Sequence, residues 1–194
     1  MSRATATIVA AIALAAPLAV YAQQSHHAQT SQAGKAAKMT DAQKIRNAMS
    51  AAPAEIAKNA TIMDWPDTPN GKPRQLRAGT NGWVCYPNSP QDVKGATSDD
   101  PMCLDKAWQA WAEALMSKTE PKTAEPGIGY MLRGDKRGSN TDPFATAPTP
   151  DNQWVVSPGH VMVLFPDPKA LDAYPADPKA GGPWVMWRAP PTPT

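Results

Sequence analysis

Apolar residues fall at helical spacing in two stretches of this chain and alternate with polar ones in several shorter stretches. Thr40-Asp41-Ala42-Gln43 matches a capping box, after which Ile45, Met49, Ala52 and Ile56 lie along one helical face. Pro53 would clash inside a helix, so the pattern predicts a break near residues 50–52 and a second short helix, opened by Pro53, to about Asn59. Asp100-Pro101 reads as the next helix start, the aspartate accepting from free amides and the proline pre-set in the first turn. Leu104, Trp108, Trp111 and Leu115 follow at i, i+4, i+7 and i+11. This stripe is expected to place both tryptophans against the core, where burial at ~25 cal/mol per Å² makes each worth a few kcal/mol.

Between the helices the pattern shortens to strands and turns. Residues 61–65 read as a strand and 65–71, dense in Pro, Asp, Asn and Gly, as a surface loop. Residues 75–78 and 82–86 flank Gly79-Thr80-Asn81-Gly82 and predict a hairpin, with a second loop over 87–99. Residues 128–132 read as a strand, and the polar, proline-flanked 133–150 as a long loop. Residues 153–156 and 160–165 are strands separated by Ser157-Pro158-Gly159. His160, Met162 and Leu164 alternate with Val161, Val163 and Phe165, so both faces carry apolar side chains and this strand is expected at the centre of the sheet. Asp167-Pro168-Lys169-Ala170 starts a short helix through Leu171, and residues 184–187 are expected to close the sheet as its last strand. The tetrad recurs at 177–180, but two copies make no repeat fold. The sum predicts an α+β class: a small antiparallel or mixed sheet with helices packed mainly on one face.

The two ends differ in kind. Residues 1–22 read as a secretory signal, with Arg3 as the positive end, an apolar run over 8–20 and Val20-Tyr21-Ala22 as the cleavage site. The run is short of the roughly 20 residues a membrane span needs and Pro17 interrupts it, so no span is expected in the mature chain. No cysteine follows the cleavage site to carry a lipid. Residues 23–39 have almost nothing to bury and read as a flexible leader that holds His26 and His27. Residues 189–194, APPTPT, read as a frayed tail, leaving 40–188 as a single globular domain. The expected location is the periplasm or the extracellular space. A formal charge of +2 gives no basic stripe for a phosphate backbone, so nucleic acid is excluded as a partner.

Export changes the reading of the two cysteines. Cys85 and Cys103 stand 18 positions apart in a chain bound for an oxidising compartment, and a disulfide between them is the expected outcome. Closing that loop is worth about 3 kcal/mol by chain entropy. The alternative is a nucleophilic Cys103 in the first turn of the tryptophan helix, with His160 as its general base.

His160 is the one histidine in the predicted domain and stands just after a Pro-Gly turn, where a general base or a metal ligand can sit. Met63, Met102, Met116, Met131, Met162 and Met186 raise Cu(I) beside it, but they recur in apolar strands and helices, where core filling is the expected role. No metal and no cofactor is therefore predicted. Residues 134–143, GDKRGSNTDP, gather hydroxyl, amide and carboxylate groups. Ser139, Asn140 and Asp142 are candidate ligand contacts, and Trp154 is a candidate stacking face for a sugar among seven tryptophans. The spacing matches no calcium loop, and no serine lies in a nucleophile elbow.

The succession LRAGTNGWVCYP, DPMCLDKAW, GIGYML, SNTDP, HVMVLFPDP and GGPWVMW resembles an uncharacterised family of bacterial signal-peptide-bearing, exported proteins over about residues 45–187. The resemblance implies common ancestry and export. It brings no activity, cofactor or catalytic residue. The expectation is a monomeric, exported, noncatalytic protein whose partner is a small polar or carbohydrate ligand or a surface. The alternative is a hydrolase or metal-dependent enzyme organised around His160 and the 134–143 loop.

Overall fold

A computed structural model describes residues 39–68, 71–90, 99–145 and 147–187, apart from the side chains of Lys136 and Arg137. The signal over 1–22, nearly all of the leader and the 189–194 tail lie outside the described residues. All described residues belong to a unit spanning Lys38–Thr194.

The capping box forms as its spelling requires. Thr40 Oγ1 accepts from the Gln43 amide at 3.3 Å, the Gln43 side chain accepts from the Thr40 amide at 2.7 Å, and α1 runs over Asp41–Met49. Pro53 is the N-cap of α2, Ala54–Ala57, one position earlier than a first helical residue. Arg77 donates to the carbonyls of Ala57 and Ala60 at 2.6 and 2.8 Å, satisfying acceptors that the short helix leaves free.

Six strands make one mixed sheet: β1 Thr61–Asp64, β2 Arg74–Arg77, β3 Val84–Tyr86, β4 Met102–Leu104, β5 Gly127–Met131 and β8 His160–Leu164, in the order β2-β1-β3-β4-β5-β8. Two further strands, β6 Asp135–Ser139 and β7 Trp154–Ser157, pair as a separate ribbon. The expected hairpin of β2 with β3 does not form. β1 lies between them, antiparallel to β2 and parallel to β3. The glycine turn does not join them because its backbone is held elsewhere: the Gly79 amide donates to Thr61 Oγ1 at 3.1 Å and the Thr80 amide to the Asn59 carbonyl at 2.8 Å.

Asp100-Pro101 is likewise not a helix start. Met102–Leu104 is a strand, and α3 begins five residues later as Lys106–Met116. Asp105 is the cap that the sequence pattern did not single out. Its Oδ1 accepts from the Trp108 amide at 2.9 Å and its Oδ2 from the Ile128 amide at 2.5 Å, so one carboxylate starts the helix and ties it to β5. Leu104 therefore leaves the helical stripe and is buried in the sheet. Cys103 stands in a strand directly opposite Cys85, and the two form the disulfide, with Cα atoms 4.0 Å apart.

Partners across the sheet point to the same side, and this sorts the packing into two rows. Ile62, Cys85, Cys103 and Tyr130 are successive partners. The first three form the core with Ala48, Ala51, Ala52, Ala57 and Ala60, all of them at most 7% exposed, and Tyr130 packs against it. The alternate row runs Val84, Leu104, Gly129, Met162, and α3 meets it. A methyl group at Gly129 would lie 2.8 Å from Met162 Cε and 3.5 Å from Trp108 Cδ1, and one at Gly127 3.0 Å from Ala107 Cβ. Helices thus lie against both rows. Trp108 and Trp111 are half-buried, not enclosed in the core as their stripe suggested: Trp108 meets Trp111 edge-on, and Trp111 stacks on Trp187 at 6.0 Å.

Three further expectations change in the last third. The 133–150 segment is not all loop, since β6 occupies its first part. The strand β8 is an edge, not the centre, and Val161 and Val163 are 48% and 47% exposed. Residues 184–187 form no strand; Val185 is buried, and its amide bonds the Pro175 carbonyl at 2.8 Å. The short helix after Asp167 is a 3-10 helix, Pro168–Ala173.

Candidate functional site

The chain leaves the main sheet at a corner and returns at the same place. β5 ends opposite His160 and β6 begins opposite Ser157, so residues 132–134 and 158–159 pass each other. Gly134 has φ +95°, a region that favours glycine, and a methyl there would stand 2.6 Å from the Ser157 carbonyl oxygen. One at Gly159 would stand 2.5 Å from the Leu132 carbonyl oxygen. These two glycines let the strands approach so closely.

At the far end of this ribbon Ser139 pairs with Trp154, and the candidate residues come together. Asn140 is 8% exposed and fully engaged. Its amide donates to the Gln153 carbonyl at 2.7 Å. Its Nδ2 donates to Gln153 Oε1 at 2.9 Å and to the Ala176 carbonyl at 3.1 Å, and its Oδ1 accepts from Trp184 Nε1 at 3.2 Å. Ser139, 3% exposed, accepts with Oγ from the amides of Asp142 and Thr141 at 2.9 and 3.2 Å. Asp142 Oδ1 accepts from the Phe144 amide at 2.8 Å. Ser139 and Asn140 are thus the scaffold of the turn and not its reaching groups.

Above the scaffold lies an open depression of about 360 Å³ lined by Thr141, Asp142, Ala145, Ala147, Thr149, Asp151 and Asn152. Its floor is fixed by Asn152, whose Oδ1 accepts from the Thr149 amide at 3.0 Å and whose Nδ2 donates to the Ala147 carbonyl at 2.9 Å. Two hydroxyls and two carboxylates line one concavity, a set rich in acceptors that suits a ligand carrying several donors. Of the four residues expected at a ligand, only Asp142 lines it. Thr141 falls inside the 134–143 loop singled out from the sequence, whereas Thr149, Asp151 and Asn152 lie beyond it. The cluster Pro148-Thr149-Pro150-Asp151-Asn152 carried only a turn signal, which says nothing of what the turn faces.

His160 stands at the other end of the ribbon. It is half-buried, opposite Met131, and its Nδ1 lies 2.8 Å from the Pro158 carbonyl oxygen within its own turn. The structure does not bring it to the depression. Among the described residues no three His, Cys, Asp or Glu side chains gather as a metal cluster. Both cysteines are fully buried in the disulfide, so Cys103 offers no free thiol, and it stands in β4 and not in the first turn of α3, which begins at Lys106. All seven tryptophans are half-buried; Trp65, for one, packs tilted against Tyr86 at 4.7 Å and donates to the Pro87 carbonyl at 2.6 Å. Burial pushes the Tyr86 phenol above its ordinary range.

A second polar cluster joins α1 to the first two strands. Asp64, 6% exposed, receives Lys44 Nζ at 2.6 Å and Arg74 at 3.2 Å, and Arg74 also makes a two-pronged pair with Asp41 at 2.7 and 2.9 Å. The hydrogen bond from Arg74 holds the Asp41 carboxyl below the usual carboxylate range, and that pair raises Arg74. With every charge answered, this cluster braces the fold. No helix among the described residues is long and apolar enough to cross a membrane. No family model, curated protein or solved structure matches the chain.

Proposed function

We propose that this is an exported, noncatalytic protein that binds a small polar ligand, with the hydroxyls of a carbohydrate as the fitting chemistry, in the depression between Thr141 and Asn152. The carrying observation is the acceptor-rich concavity at a turn that satisfies its own polar groups: the Thr149 and Asp151 side chains and the second carboxylate oxygen of Asp142 are left to meet a guest, while Asp142 Oδ1 holds the Phe144 amide and the Thr141 hydroxyl meets Ser139 Oγ at 3.3 Å. Export rests on the signal pattern of residues 1–22, with which the buried disulfide is compatible. Aromatic stacking is not needed for this reading, because Trp154 does not line the depression.

Titration of the isotopically labelled protein with neutral monosaccharides at millimolar concentration tests it. The amides of residues 141–152 should shift together, and Asp142→Asn with Asp151→Asn should abolish the shifts while leaving the denaturation midpoint in place. Shifts scattered over the surface, or none, would refute binding there.

A further inference from the structure

We propose that β8 is an interface, and that it pairs antiparallel with the β8 of a second copy to continue the sheet across a two-fold axis. The inference is independent of the ligand reading. β8 ends the six-stranded sheet, its five residues pair with β5 in unbroken register, and no other strand among the described residues pairs with it. The opposite edge differs. β2 reads RQLR, and its pairing with β1 is interrupted by a register shift, two devices that discourage edge-to-edge contact. From Pro158 to Pro166 the chain carries no Asp, Glu, Lys or Arg, and Val161 and Val163 stand about half exposed.

The second copy is the occupant because the strand is complementary to itself. Met162 is the midpoint between Pro158 and Pro166. Antiparallel pairing centred on Met162 sets Val161 against Val163 of the other copy, His160 against Leu164, and each proline against the other's, where pairing has to stop. Four valines then form one continuous patch on one face. The two-fold centre brings no like charges together, whereas the same operation on β2 would bring arginines opposite each other. Five paired residues per copy make a short contact against the roughly 1,200–2,000 Å² buried by specific stable interfaces, so a dimer that dissociates on dilution is expected.

Sedimentation velocity of the oxidised protein over a wide concentration range tests this, with Val163→Lys, Val161→Lys/Val163→Lys and Val161→Glu/Val163→Lys. The unaltered protein should shift from one-chain to two-chain mass as concentration rises. Each Lys should raise the dissociation constant by about tenfold. The Glu/Lys variant should recover most of the loss, because the introduced carboxylate of each copy faces the introduced ammonium of the other. Hydrogen exchange on the unaltered protein, at low and high concentration, is the check that needs no substitution: β8 amides should gain protection on association. One-chain mass at every concentration, association untouched by the lysines, failure of the Glu/Lys variant to recover, or β8 amides indifferent to concentration would each overturn the proposal.

Discussion

Replacing both cysteines by alanine tests what holds the β3–β4 pair. Cys85 and Cys103 are partners in adjacent strands, fully buried, with a sequence separation of 18. Loop-closure entropy over that length gives about 3 kcal/mol at 25 °C. The loop it closes has a second fastening at its base: the Asn88 amide donates to Asn47 Oδ1 at 2.7 Å, the Asp100 amide to Asn88 Oδ1 at 3.0 Å, and the Ser89 amide to Asp100 Oδ1 at 3.0 Å. Those bonds exist only in the folded state, so they leave the entropy of the reduced, unfolded chain untouched and do not diminish the effect of the crosslink. Losing two buried sulfur atoms beside Ala48 and Ile62 adds a small cavity cost in the same direction. Cys85→Ala/Cys103→Ala should therefore lose about 3–4 kcal/mol in urea denaturation, and its Tm should fall by roughly 6–16 °C for a domain of this size. The denaturant slope should rise, because the uncrosslinked unfolded chain exposes more surface. A loss below about 1 kcal/mol with an unchanged slope would refute the entropic account and assign the strand pair's stability to its packing.

Two other perturbations have definite signs. Lys118 adopts φ 54° just after α3, where the Thr119 amide bonds the Ala114 carbonyl at 2.9 Å and the Lys118 amide that of Leu115 at 3.0 Å, a Schellman ending that favours glycine. Lys118→Gly should raise stability by about 0.5–1 kcal/mol, read as a higher urea midpoint, and a lower midpoint would contradict the backbone argument. The Asp41 carboxyl, held low by Arg74, contributes stability that is present above the ordinary carboxylate range at about pH 4 and is lost as pH falls through its folded value. In Arg74→Gln the Asp41 carboxyl resonance should titrate at higher pH and the acid limb of the stability curve should flatten there; an unchanged Asp41 titration would sink the pairing.

What the sequence disclosed follows from the range of its signals. The capping box, the break at Pro53 and the strand at 61–64 are local, and each formed near where its residues stand. Sheet order is not local. Nothing in Gly79-Thr80-Asn81-Gly82 tells that β1 will lie between the strands it separates, because that depends on the amides of Gly79 and Thr80 reaching back to Thr61 and Asn59. Asp100-Pro101 imitated a helix start, and the true cap at Asp105 gains its advantage from Ile128, which is distant in sequence. β6, reading DKRGS, has no apolar alternation to announce it and is a strand through its partner β7. The apolar β8 suggested a central strand because composition cannot say whether a hydrophobic face meets the protein or the solvent. At the candidate site the turn chemistry of Ser139, Asn140 and Asp142 was legible; Asp142 lines the depression, while the other two hold the turn together.

The corner of Gly134 and Gly159 has a consequence for how this molecule tolerates change. Because β5 and β8 pair with each other on one side of it and β6 and β7 on the other, everything from Asp135 to Ser157 is a side branch that rejoins the trunk where it left. Insertions or deletions at its tip alter neither the alignment of the six strands nor the residues of the alanine-rich core, and the loop-length penalty grows only slowly. The branch is therefore the natural place to lengthen, shorten or exchange a segment, with the two glycines, and Asn140 that bonds Ala176 and Trp184 outside the branch, as the positions to leave alone.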